Sequence, residues 1–317
     1  MAIATRFVKI VKRISEYVVS NAITNSMLFI ILFANSMKKL RKTRKQKQKR
    51  KLTFDEIGKC NPGITFSTKS STKSNRKCLP DDFYAKLGTD LSIKCGDGDE
   101  HCLIDKAPIN DSLKTDYRTR YLRPRRPEKW DEDPDMWLDN FNIEHVMKQY
   151  EKAVPWFRFL GIFPIDFSAP DPYKKDGPKQ CLYKETCDLK LTDEYNKGVR
   201  GIGLIFNLDP HYKGGSHWVG LYINLMDKNK PFVGYFDSYG YAVPPLIARL
   251  MRSFKLQVKS CKLGYNARRF QYGNSECGMF SMYFIICMMN DIPFDEFCKD
   301  AVNDGLMLEL RQILFAK

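Results

Sequence analysis

The stretch Gln271-Tyr272-Gly273-Asn274-Ser275-Glu276-Cys277-Gly278-Met279-Phe280-Ser281-Met282-Tyr283-Phe284-Ile285-Ile286-Cys287-Met288-Met289-Asn290 decides how this chain is read. It opens on loop-forming residues, Tyr272 to Ser275, and passes into a run from Met279 to Met289 that is apolar on every face. A helix apolar all round has no solvent side, so this one is expected to run through the centre of a globular domain. Ser275 reads as its N-cap, which puts Cys277 in the first turn. There the unpaired amides and the helix dipole favour negative charge, which makes a thiolate available near neutral pH. Read alone, Cys277 serves equally well as a buried structural thiol.

Its company upstream argues for chemistry. A nucleophilic thiol needs a base, a group that orients the base, and donors for the oxyanion. His217 opens the apolar segment Trp218–Ile223, which reads as a strand. Pro231 to Gly240 reads as a second strand that ends on Asp237 before a glycine turn. If the two are antiparallel neighbours, the imidazole and the carboxylate meet at one end of the sheet. Gln271, placed by a strand read over Tyr265–Tyr272, offers a side-chain amide to the oxyanion beside the backbone amide of Cys277. His211 is the nearest rival base, but it sits in a Pro/Gly loop. Tyr212, Asp209, Ser238 and Tyr239 read as turn formers or groove-lining residues, and Cys287 and Cys298 as packing residues.

The order His217, Asp237, Gln271, Cys277, in the motifs Gly-Ser-His217-Trp218, Phe236-Asp237-Ser238 and Gln271-Tyr-Gly-Asn-Ser-Glu-Cys277-Gly278, resembles the SUMO-protease and adenoviral-protease superfamily. The papain order is the reverse and does not fit. The likeness runs from about Trp137 to Phe315 and is strongest to the branch encoded by large cytoplasmic DNA viruses, of the African swine fever virus and iridovirus type. It implies catalytic roles for His217, Asp237, Gln271 and Cys277. It further implies cleavage after Gly-Gly-type sequences, with Trp218 flanking the histidine ring and Asn274 and Ser275 beside the substrate. No cofactor or metal is implied. The implied substrates are viral structural polyproteins or, alternatively, ubiquitin-like conjugates of a host, cut by a monomer in the virion or the host cytoplasm.

At 317 residues and 43% hydrophobic, the chain can bury a full core and carry an appendage. Its net charge of +15 is unevenly placed. Residues 38–51 hold ten positive charges and no negative ones; Arg6, Lys9, Lys12 and Arg13 less Glu16 add three, leaving +2 for residues 52–317. The basicity belongs to the tail, which could hold the protein on nucleic acid or an anionic membrane through charge. Tyr17 to Met37 is uncharged and long enough to span a bilayer, but Ser20, Asn21, Thr24, Asn25 and Ser26 interrupt it. It reads as a membrane anchor, as an extension upstream of initiation at Met37, or as an interfacial helix.

Residues 52–130 read as a small helical appendage and 131–317 as the protease domain. Cys60, Cys78, Cys95, Cys102 and His101 lack a close Cys-x-x-Cys pair, so structural or incidental thiols are expected there rather than zinc. Ten irregularly spaced cysteines and a thiol nucleophile point to a reducing compartment rather than a disulfide framework. Strands over Phe157–Phe163 and Gly201–Asn207 and helices over Asn140–Tyr150, Pro244–Phe254 and Asp304–Phe315 complete an α+β fold, a mixed central sheet flanked by helices. From a different class, the chain could be an inactive docking protein or a nucleic-acid-binding module; four intact site residues argue against the first, and the second rests on the tail alone.

Overall fold

Five short strands lie side by side in the order in which they occur along the chain: β1 (Phe157–Pro164), β2 (Gly201–Asn207), β3 (Trp218–Asn224), β4 (Phe232–Phe236) and β5 (Lys262–Tyr265). β1 and β2 pair in parallel, β2–β3 and β3–β4 are antiparallel, and β4–β5 are again parallel. The computed structural model describes residues 52–67, 77–87, 94–172, 174 and 180–316. The uncharged segment 17–37 and the basic run 38–51 lie outside the described residues.

Both faces of the sheet are covered, which is why its strands are apolar without alternation. β2, Gly-Ile-Gly-Leu-Ile-Phe-Asn, is buried along its whole length. On one face Val219, Leu221, Ile223 and Val233 pack with Ile247, Leu250, Met251 and Phe254 of the helix Pro245–Gln257. On the other, Ile205, Tyr222 and Phe236 pack with Phe280, Phe284 and Ile285 of the helix Cys277–Met289. Every residue of that helix is buried, as its sequence predicts. Close approach to β3 needs Gly220, since a Cβ there would lie 2.9 Å from the Phe284 ring. Overpacking at such a site costs about 1–3 kcal/mol.

The helix Asn140–Ala153 buries Ile143, Val146, Met147 and Tyr150, the spacing expected of it. Its cap is Asp139, where Asn140 or Asn142 was expected. The Asp139 carboxylate accepts from the Asn142 amide at 2.7 Å and Asn142 Oδ1 returns the contact to the Asp139 amide at 3.1 Å. Charge at the first turn and this reciprocal bond decide the boundary.

Helices Asp81–Leu87, Glu100–Lys106 and Asp111–Tyr121 shape the region before residue 130, with a core of its own around Phe83, Ile104, Tyr117 and Leu122. Two expectations are overturned: Cys60, Cys78, Cys95 and Cys102 are not free thiols, and disulfides cross-link a chain in which no disulfide framework was expected. Cys60 bonds to Cys78 and Cys95 to Cys102, and in the larger region Cys181 bonds to Cys187, with Cα–Cα distances of 5.3, 5.8 and 6.5 Å. The pairs are close in space although their spacing in sequence is irregular. Cys78 is positioned by Glu100, whose carboxylate accepts from the amides of Cys78 and Leu79 and from the Tyr84 hydroxyl at 2.8–3.0 Å. With so small a core, cross-links that limit the unfolded chain supply stability the packing does not.

Candidate active site

The strand register brings the site together. His217 immediately precedes β3 and Asp237 immediately follows β4; because these strands are antiparallel, both residues stand at the same end of the sheet. His217 Nε2 meets Asp237 Oδ1 at 2.8 Å, with the imidazole 11% exposed and the carboxylate fully buried. The remaining ring nitrogen is left for Cys277, whose thiol lies close enough to raise the imidazole's pKa. Burial alone would pull the imidazole's pKa down. The Asp237 hydrogen bond and the Cys277 contact outweigh it, and the value rises to about 9. At neutral pH this histidine therefore keeps its proton.

Asp237 is held through its Oδ1 and its backbone. Its Oδ1 also accepts from the Tyr239 amide at 2.8 Å, and its carbonyl accepts from Gly240 in a tight turn. Gly240, at φ +75°, is required there: a Cβ would lie 2.7 Å from the Arg268 backbone. Asn266 clamps the Asp237 backbone, accepting from its amide at 2.8 Å and donating to its carbonyl at 2.6 Å. Tyr235, two residues earlier on the same strand, lies against the carboxylate; burial and then the Asp237 charge push its phenol pKa up. Asn266 was invisible in the sequence because its partner is 29 residues away.

Gln271 arrives on a loop. The strand expected over Tyr265–Tyr272 lies instead at Lys262–Tyr265 and shares only Tyr265 with it, because Asn266 turns inward to Asp237 and the chain cannot stay extended. Gln271 is fully buried, its Oε1 accepts from Ser238 Oγ at 2.6 Å, and its backbone amide donates to the Ser238 carbonyl at 2.9 Å. That fixes which way the side-chain amide points. Its Nε2 is buried and has no partner among the described residues. An unsatisfied buried donor costs about 1–3 kcal/mol, so an oxygen is wanted there.

Cys277 is the first residue of its helix and 4% exposed. The cap is Glu276, not Ser275, and its side chain makes no capping bond. The reason is Arg311, on the helix Asp304–Leu314, which donates from Nε to both Glu276 oxygens at 2.9 Å while its guanidinium sits over the Trp130 ring. A second tether is Asp304, whose carboxylate accepts from the Tyr272 and Gly273 amides. Asn274 is exposed and Ser275 half-buried on the loop so held. Trp218 donates from Nε1 to the Leu138 carbonyl at 3.0 Å. The ring stacked on His217 is that of Tyr239, at 4.8 Å and 27°, where Trp218 was expected.

A groove of about 470 Å³ runs beside this end of the sheet, lined by Trp137, Leu138, Ile162, Tyr183, His211 and Trp218 among others. Cys287 is fully buried, and burial pushes its thiol pKa up; burial likewise raises Cys298 to about 12, so both stay protonated packing residues.

Residues 184–314 match the Ulp1 protease family, C-terminal catalytic domain. A protein of Acanthamoeba polyphaga mimivirus that carries a provisional thiol-protease name is 31% identical over 253 residues, 77% of this chain and 76% of that protein. The chain is a cysteine peptidase of the Ulp1 family. The peptidase is also 24% identical over 189 residues to the cysteine protease of African swine fever virus, covering 56% of this chain and 67% of that one. The crystal structure of the African swine fever virus protease superposes with a TM-score of 0.59 at 18% identity, covering 77% of this peptidase and 93% of that chain, so the two share a fold.

Proposed function

We propose that Cys277, His217, Asp237 and Gln271 form the catalytic machinery of a cysteine endopeptidase. The observation that carries this is the imidazole bridging Asp237 and Cys277 beside a buried Gln271 amide without a partner. The Cys277 thiol proton rests on His217 and the thiolate attacks a peptide carbonyl. The new oxyanion is met by Gln271 Nε2 and by the Cys277 backbone N–H, one of the donors a helix N-terminus leaves unpaired. As the tetrahedral adduct collapses, the C–N bond breaks and His217 gives its proton to the leaving amine. A water then enters, loses a proton to His217 and attacks the thioester; the acid product leaves and the thiolate–imidazolium pair is restored. Asp237 stays ionised, holding the ring and its charge.

The substrate in this reading is a viral structural polyprotein cut after a Gly-Gly-type sequence. What supports this is kinship: the protein shares its family with proteases of large DNA viruses, and a narrow groove between Trp218 and the Gln271 loop would admit glycine and exclude larger side chains. Residues 38–51 would hold the enzyme on nucleic acid or an anionic membrane in the virion or host cytoplasm. To test the substrate, purified protein is incubated with viral core polyproteins and with SUMO precursors, and new termini are mapped. Cuts after Gly-Gly in a core polyprotein, absent with Cys277→Ala, are expected; processing of SUMO precursors alone would replace this substrate with ubiquitin-like conjugates.

A further inference from the structure

An exposed arginine lies where the base and the oxyanion donor meet. The Arg269 guanidinium faces two rings, Tyr239 at 5.2 Å and Tyr272 at 4.8 Å, and its Nε donates to the Gln271 carbonyl at 2.6 Å. Tyr239 in turn stacks on His217 at 4.8 Å and donates its hydroxyl to the Gly273 carbonyl at 2.9 Å. The rings and guanidinium thus form a column, Tyr272–Arg269–Tyr239–His217, in which Arg269 is also bonded to the residue that carries the oxyanion amide. The approach is built into the backbone: only a glycine at 240 lets the Asp237–Gly240 turn rest on residues 268 and 269.

We propose that Arg269 is a positioning residue that presses Tyr239 flat against His217 and fixes the Gln271 backbone, so that base and oxyanion donor are held in one geometry. The inference rests on the catalytic reading of Cys277, His217 and Gln271 above. Each contact is modest: a cation over an exposed ring contributes about 0.5–1 kcal/mol, and a charged hydrogen bond somewhat more. Their effect falls on alignment, and small misalignment of reacting groups is costly in rate. A planar guanidinium is needed, because an ammonium has neither the stacking face nor the fork. Titratable or charged groups around the column are Asp237, Cys277, Tyr241 and Asp304. Removing any member of the column loosens the ring over His217 and opens the imidazole to water, which favours the protonated ring.

The test uses the full chain with Arg269→Ala, Arg269→Lys and Cys277→Ala, each checked for an unchanged melting profile, on one peptide substrate across pH. Arg269→Ala is expected to lower kcat about 5- to 20-fold with KM within about twofold. Arg269→Lys should recover little of this, and in both the alkaline limb of the rate profile should move to higher pH. Tyr239→Phe keeps the stack and should retain more than half the rate. Wild-type kcat and an unmoved limb in both Arg269 variants would overturn the proposal, and so would a loss confined to KM, which would make Arg269 a substrate contact. If an Arg269 variant melts early, the Tyr272→Leu variant decides: the proposal requires a kcat loss there with the limb moved the same way, and wild-type behaviour overturns it. Turnover surviving in Cys277→Ala would instead defeat the catalytic reading itself, whatever Arg269 does.

Discussion

This molecule contains two histidine–aspartate pairs of nearly equal geometry and very different surroundings. His217 meets Asp237 at 2.8 Å and His211 meets Asp166 at 2.7 Å. Both aspartates also accept a backbone amide, from Tyr239 in the first pair and from His211 itself in the second. Yet the side chains of His217 and Asp237 are 11% and 0% exposed, against 27% and 19% for His211 and Asp166. His217 has a thiol on its far side and a ring stacked on its face; His211 meets the edge of Tyr212 on a loop. An ion pair open to water is screened and contributes little, whereas a buried one strongly biases protonation. A short imidazole–carboxylate contact is thus poor evidence of catalysis, and burial with a third partner is good evidence.

The comparison breaks most decisively at the thiol. Cys277→Ala should reduce peptide turnover to background with the melting temperature little changed, since only one buried sulfur is lost. Persistence of cleavage, or its loss only in Cys287→Ala, would remove the reason for ranking the pairs as we do.

Next in size are the two members of the buried pair. His217→Ala and Asp237→Ala should each slow turnover roughly 10²–10⁴-fold, by analogy with other triads. Steady-state kinetics on one peptide would check this, and a larger loss from His211→Ala than from His217→Ala would reverse the assignment.

The two histidines should also differ in how activity depends on pH. With the His217 pKa raised to about 9, the imidazolium persists through neutral pH, and activity should fall on the alkaline side with a midpoint near that value. Because the folded pKa lies above the ordinary histidine value of about 6.5, the pair's contribution to stability is full below that pH and lost as pH rises through about 9. Asp237→Asn removes a hydrogen bond that raises the pKa, so in the residual activity the limb should move down. An unmoved limb would mean that another group sets it.

What the sequence revealed depended on how local the cause was. The helix Cys277–Met289 was legible because a run from Met279 to Met289 broken only by Ser281 leaves it no solvent face, and the His217 and Asp237 strand ends because each apolar run stops beside a polar residue. The failures came from partners distant in sequence. Glu276 caps the helix without a capping bond because Arg311, 35 residues later, takes its carboxylate. β5 stops short because Asn266 is drawn to Asp237. The disulfide partners are separated by 18, 7 and 6 residues with no repeating pattern, so only the packing of the surrounding helices and loops reveals them. Tyr239 reads as a turn former or a groove-lining residue, and nothing in Asp-Ser-Tyr-Gly tells where its ring will lie.

The smallest expected effect lies in the exposed pair. Asp166 accepts from both the amide and Nδ1 of His211, so it fixes the loop that leads from β2 toward His217. That loop is also braced independently. Asn207 Oδ1 accepts from the amides of Asp209 and Ser216, and the Leu208 amide donates to the His217 carbonyl at 2.9 Å. With those bonds intact, losing one partly exposed imidazole–carboxylate contact should cost no more than about 1 kcal/mol of stability. It should leave kcat on a short peptide within about threefold, because the base is oriented by Asp237. His211→Ala and Asp166→Asn, measured for melting temperature and kcat beside Asp237→Asn, provide the check. A fall in kcat approaching that of Asp237→Asn would mean that the loop's geometry reaches His217 despite the Asn207 brace. The two pairs would then be parts of one device, and the contrast in burial would no longer separate function from scaffold.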